Sequence, residues 1–149
     1  MIKQSKPIKF SFREFKKIYS KVPRVTVEIV IISKNGVALS LRNIEPYKGY
    51  WHTPGGTILY GESIRNAVIR VAKEELGVNV KISKFLGFWE IPEWSQPKGF
   101  CQTIGLIFQV RFISGKFKND EQSSEIKFFR KLPQKMIKEQ KVILGKRLT

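Results

Sequence analysis

The chain has 149 residues, 42% hydrophobic and 12% aromatic, which fits one compact domain with a real core and excludes a disordered chain. Its formal net charge of +16 sits at the ends: residues 1–24 hold eight Lys or Arg against one Glu, residues 127–149 hold the same, and the middle is nearly balanced. No apolar run approaches the roughly 20 residues of a membrane span, the N-terminus shows no secretory pattern, and the single Cys101 can close no internal disulfide. The expected compartment is the cytoplasm, with no membrane partner.

In chain order, residues 1–24 read as a basic arm or short helix with apolar contacts from Phe10, Phe12, Phe15, Ile18 and Tyr19, closed by Pro23. Val25 to Ser33 is β-branched and predicts a buried strand; Lys34-Asn35-Gly36 signals a hairpin turn, and Val37 to Leu41 the returning strand. A loop from Asn43 leads to Trp51-His52-Thr53-Pro54-Gly55-Gly56. From Glu62 to Leu76 the apolar residues Ile64, Ala67, Val68, Val71, Ala72 and Leu76 keep helical spacing, and Gly77 ends the helix. Strands are expected at 78–91, 103–113 and 127–129, with a C-terminal helix in 133–149 spanning Gln134 to Leu144 after Pro133. Mixed strands with two helices predict a single α/β domain over 1–149, helices packing on both sides of a curved sheet.

The informative stretch is Gly56 to Val78, GTILYGESIRNAVIRVAKEELGV. A glycine-rich loop before a helix lets backbone approach a charged ligand, and a helix N-terminus favours anions. Near the helix end, the adjacent carboxylates Glu74 and Glu75 are candidate magnesium ligands, since magnesium takes oxygen donors and keeps several waters. Arg70 stands one turn before Glu74 and can pair with it. A magnesium ion there would neutralise a diphosphate and orient an attacking water. Paired glutamates alone are usually a solvated face; the preceding loop argues against that here.

These residues resemble the Nudix box, with Gly56, Glu62, Arg70, Glu74, Glu75, Gly77 and Val78 at the box's spacing and Ala72 in place of its aliphatic residue. The resemblance extends over most of residues 25–133 and implies an α/β/α sandwich with a curved mixed sheet, a magnesium cofactor with manganese as substitute, and hydrolysis of a nucleoside diphosphate linked to another group. Where the box usually places a Glu after the Arg, this chain has Val71. The GDP-mannose mannosyl hydrolases, which attack the sugar carbon instead of phosphorus, also lack that Glu. The segment SKVPRVTVEIVI, the LSLRN phrase and the GYW before the Pro-Gly-Gly turn are similar to that branch. It implies that Arg42 contacts the diphosphate, that Glu28 faces the sugar, and that Glu75, Gln122 and the carbonyl of Gly55 hold the metal.

That branch carries a His after the Gln, serving as base, where this chain has Ser123. The base is therefore sought among Glu125, Glu121, Glu90 and Glu93, with Glu125 preferred; the sole histidine, His52, reads as a strand residue near the site. Tyr47, Tyr50, Trp51, Trp89 and Trp94 are candidates for stacking on a base, Trp94 from a loop bounded by Pro and Gly. The expected substrate is a nucleotide sugar such as GDP-mannose, with attack at phosphorus or at the sugar carbon left open. The competing expectation is a catalytically impaired module that binds RNA or another polyanion through its basic ends. The N-terminal arm is also a candidate homodimer contact.

Overall fold

The computed structural model describes residues 7–92, 101–118 and 123–148. The elements, in chain order, are α1 Phe12–Tyr19, β1 Arg24–Ser33, β2 Gly36–Arg42, β3 Trp51–His52, β4 Gly55–Thr57, α2 Ile64–Leu76, β5 Val78–Ile91, β6 Thr103–Gly115, β7 Ser123–Phe129 and α3 Lys138–Leu148. Seven strands form one mixed sheet in the order β3-β2-β1-β6-β5, with β4 added to β1 and β7 to β2. The β1–β6 pair is parallel and the others are antiparallel.

Strand β1 explains both the two-sided core and the opening in the sheet. Its odd residues Val27, Ile29 and Ile31 join Ala67, Val68, Val71 and Leu76 of α2 on one side. On the other, Val30 joins Val37, Leu39, Trp89 and Leu144 of α3. This alternation of period two through a doubly buried strand makes the helix–sheet–helix layering. The outer edge of β1 changes partner along its length. Ile32 and Ser33 pair with β2, whereas Thr26, Val27 and Glu28 pair with β4. Between these partners a cleft opens beside Glu28.

Helix α2 starts at Ile64, two residues later than the periodicity suggested, because the Ser63 hydroxyl accepts from the Asn66 amide at 3.1 Å and makes Ser63 the cap. It ends as expected at Gly77, φ 76°. The C-terminal helix is the larger correction, running Lys138–Leu148 instead of Gln134–Leu144. Residues 134–137 bend and bridge to β3 at Met136: the Trp51 amide donates to the Lys135 carbonyl at 2.9 Å and the Ile137 amide to the Trp51 carbonyl at 3.2 Å. No helix among the described residues is long and apolar enough to cross a membrane.

Candidate active site

A cleft of about 550 Å³ is lined by residues of α1, β1, the end of β2, β4, α2 and the start of α3. That size falls in the usual range for small-molecule sites, about 300–1,000 Å³. The box forms one wall and supplies its own scaffold. Arg70 donates from Nε to Glu62 Oε1 at 2.6 Å, from Nη2 to Glu62 Oε2 at 3.0 Å and the Thr57 carbonyl at 2.8 Å, and from Nη1 to Glu74 Oε2 at 3.0 Å. Burial alone would raise the Glu62 carboxyl; the bonds from Arg70 and from the Leu59 amide outweigh it and leave Glu62 below its ordinary range. Four donations from one guanidinium tie the loop before α2 to the helix itself.

Glu74 belongs to this scaffold. Its second oxygen takes the Lys9 ammonium at 2.6 Å, so both oxygens face cations while the side chain lines the cleft. Glu75, one residue on, lines the cleft within electrostatic reach of Arg42. Arg42 is partly buried, which lowers its affinity for its proton, as does Arg24, while Glu75, Glu28 and Glu45 act oppositely. Its Nε donates to the Pro46 carbonyl at 2.6 Å, fixing the guanidinium at the cleft.

Glu28 is the cleft's most distinctive group, only 6% exposed. The Thr26 hydroxyl donates to Oε1 at 2.7 Å and the Thr53 hydroxyl to Oε2 at 2.9 Å. Thr53 is itself set by its amide, which donates to Gln140 Oε1 of α3 at 2.9 Å. Desolvation by burial pushes the Glu28 carboxyl up to about 7, against the opposing effect of the two threonines, Arg24 and Arg42. Gly55 is required beside it, because a Cβ there would collide with the Glu28 carboxylate. Thr26 and Glu28 were legible as polar residues two apart in an apolar strand, hence on one face; nothing in the sequence marked Thr53 or Gln140.

The remaining candidates divide. Tyr47 lines the cleft, 8% exposed, with its ring 5.5 Å from Tyr50. Trp51 lies outside it, packed edge-on to Phe129 at 4.7 Å, because its place in β3 turns the indole toward the α3-side core. Glu125 also lies outside: it sits opposite Leu41, its side chain 48% exposed, with Lys127 Nζ at 3.7 Å. Trp89 is core and Glu90 is exposed on β5. His52 does line the cleft, but burial and Arg42 press it down to about 3, against a hydrogen bond from Nδ1 to the Thr53 carbonyl at 2.7 Å. It is neutral at physiological pH. Trp94, Gln122, Glu93 and Glu121 lie outside the described residues.

Among the described residues no three His, Cys, Asp or Glu side chains gather as a metal cage. What the cleft offers is Glu74, Glu75, Glu28 and the Gly55 backbone, all oxygen donors. Such a set fits a hard divalent cation that keeps its waters and shares substrate phosphates.

The comparisons with known proteins agree with this geometry. The NUDIX domain profile matches residues 22–145. The chain is 37% identical over 119 residues to the low-salt glycan biosynthesis protein Agl8 of Haloferax volcanii, covering 78% of this chain and 76% of that protein. It is 32% identical over 123 residues to an ADP-ribose pyrophosphatase of Methanocaldococcus jannaschii, covering 81% and 71%. Its fold superposes on the MutT Nudix hydrolase of Burkholderia pseudomallei with a TM-score of 0.74 at 23% identity, over 83% of this chain and 97% of that one. The chain belongs to the Nudix family. It is a Nudix hydrolase acting on nucleoside diphosphate derivatives, in a family whose hydrolases generally use divalent metal ions.

Proposed function

We propose that the substrate is a nucleotide sugar, GDP-mannose or a close chemical relative, and that Glu28 carries the proton chemistry. The observation behind this reading is the buried Glu28 carboxyl, held by two threonines in the same cleft as Arg42 and Glu75. A carboxyl ionising near neutral pH is matched to taking and returning a proton at working pH. Of the other candidate bases among the described residues, Glu125 and Glu90 lie outside the cleft and His52 is too weak a base. The relatives support the substrate class: ADP-ribose is itself a nucleoside diphosphate joined to a sugar, and a glycan biosynthesis protein works where activated sugars are used.

Magnesium, with manganese as substitute, would be held by Glu75 and the Gly55 carbonyl, and its chemistry is neutralisation of the diphosphate charge. Arg42, fixed by its bond to the Pro46 carbonyl, binds the diphosphate and keeps it oriented. Glu28 accepts the proton of the attacking water, and the two threonines hold its carboxylate toward the reacting centre.

The test is hydrolysis of GDP-mannose, UDP-glucose, ADP-ribose, a dinucleoside polyphosphate and capped RNA with magnesium, with products identified by mass. Turnover of a nucleotide sugar supports the proposal. Free sugar with nucleoside diphosphate marks attack at carbon, and sugar phosphate with nucleoside monophosphate marks attack at phosphorus. Turnover of capped RNA or the polyphosphate alone would overturn it.

A further inference from the structure

Helix α1 has the apolar stripe Phe15, Ile18 and Tyr19 at i, i+3 and i+4, the spacing of one helix face, and Val22 follows just past its end. A face packed into a core would be buried, yet no residue of α1 is buried. The stripe instead lines the cleft, together with Phe10 and Arg24. The Phe15 and Tyr19 rings are 4.8 Å apart and tilted by 60°, Phe10 stands 6.4 Å from Tyr19, and the Arg24 guanidinium lies 5.4 Å from the centre of Phe15. One continuous cleft therefore has an aromatic end with a cation beside it and a polar end at Arg42 and Glu75.

Two contacts fix the distance between these ends. The chain before α1 makes a bridge from Ile8 to Tyr60 in the box loop, and Lys9 reaches Glu74. Because Glu74 is also held by Arg70, α1 is tied to the helix that carries Glu75. The division of the cleft matches the division of a nucleotide, with anionic phosphates at one end and a flat, weakly polar base at the other. Aromatic faces and guanidinium planes are the groups on which bases stack.

We propose that Phe15 and Tyr19, flanked by Phe10 and Arg24, form the subsite for the nucleobase. This rests on the reading that the cleft takes a nucleoside diphosphate compound. The base then lies on the N-terminal segment and not on Trp51. Loading the subsite also buries apolar surface of an eight-residue helix, too short to be stable alone.

The experiment is calorimetric titration of the full chain, with magnesium, using ADP, GDP, UDP and inorganic pyrophosphate. The variants are Phe15→Ala, Tyr19→Ala and Phe15→Trp, with melting curves as the folding check. Each alanine variant is expected to lose about ten-fold in affinity for the preferred nucleoside diphosphate, with pyrophosphate unchanged and Phe15→Trp close to wild type. A second readout avoids substitution: trypsin cleavage after Lys16 and Lys17 should be slowed by the nucleotide and not by pyrophosphate. Unchanged nucleotide affinity in both alanine variants overturns the subsite alone, as does equal weakening of nucleotide and pyrophosphate. Failure of the wild-type protein to bind any nucleoside diphosphate overturns the subsite and the substrate reading together.

Discussion

Glutamine at position 28 separates the electrostatic cost of the buried carboxyl from its chemistry. The unfolded chain releases this proton near the ordinary value of 4.5, and the folded chain holds it until about 7. Between those values the folded state binds more protons, so Glu28's contribution to stability is fully present below 4.5 and is lost as pH rises through 7. At about 1.4 kcal/mol per pH unit, ionised Glu28 costs the fold about 3 kcal/mol above that window. In Glu28→Gln the cost disappears, while fitting an amide against Thr26 and Thr53 returns about 1 kcal/mol as a penalty. The variant should therefore be about 2 kcal/mol more stable than wild type at pH 8.5. At pH 4.5 it should be slightly less stable. For a domain of this length that gap corresponds to about 4–8 °C in Tm. Urea and thermal unfolding from pH 4.5 to 8.5 would measure it, with a chelator present because a bound cation would hold the carboxylate ionised. A stability difference that does not change with pH, or a variant less stable than wild type at pH 8.5, would refute the assignment. Turnover should be lost in the same variant, a gain in stability at the expense of activity.

Glu75→Gln should lower kcat/KM at least a hundred-fold with an unchanged melting curve; activity within ten-fold of wild type would remove Glu75 from the chemistry. Arg70→Ala should cost about 3 kcal/mol in urea unfolding, because it leaves Glu62, its side chain 3% exposed, as a buried charge without its partner. A loss below about 1 kcal/mol would show that the loop is held by other contacts. Val71→Glu, which restores the family's usual residue, should cost about 2–4 kcal/mol in the same assay, since Val71 is 1% exposed in the α2-side core. A variant as stable as wild type would mean that the new carboxylate reaches the cleft.

What was legible in the sequence was local. The period-3.6 stripe of α2, the β-branched run of β1 and the Asn-Gly turn before β2 each state their structure within about ten residues. The box residues were legible for the same reason, since they lie on one loop and one helix. What was hidden depended on distant partners. Strands β3 and β4 are two and three residues long and exist only because β2 and β1 pair with them. The bridge that precedes α3 is made with Trp51, far away in the chain. The bonds that set Glu28 and the N-terminal segment join residues 25, 87 and 65 positions apart: Thr53 to Glu28, Thr53 to Gln140 and Lys9 to Glu74. Glu125 looked suitable from its loop, but the β2–β7 register sets it opposite Leu41 and outside the cleft.

Val71 shows how the box divides its work. A Cβ on Gly56 would come within 3.0 Å of the Val71 side chain, so valine closes the space between α2 and the turn by apolar packing. Arg70 and Glu74, on the adjoining face, tie the helix to Glu62, Thr57 and Lys9. Both of the helix's C-terminal carboxylates, Glu74 and Glu75, line the cleft, Glu74 with its oxygens on Arg70 and Lys9. A cleft whose helix carries valine at the box's usual Glu position gains from a carboxylate elsewhere, and the polar alternation of β1 supplies it at Glu28. A helix carboxylate beside a bound cation would stay ionised at any working pH. The strand carboxyl is desolvated and, without a bound cation, ionises near neutrality. In the proposed reading this relocation is what lets the chain keep the box's scaffold, give up its usual Glu, and still retain a group able to exchange a proton.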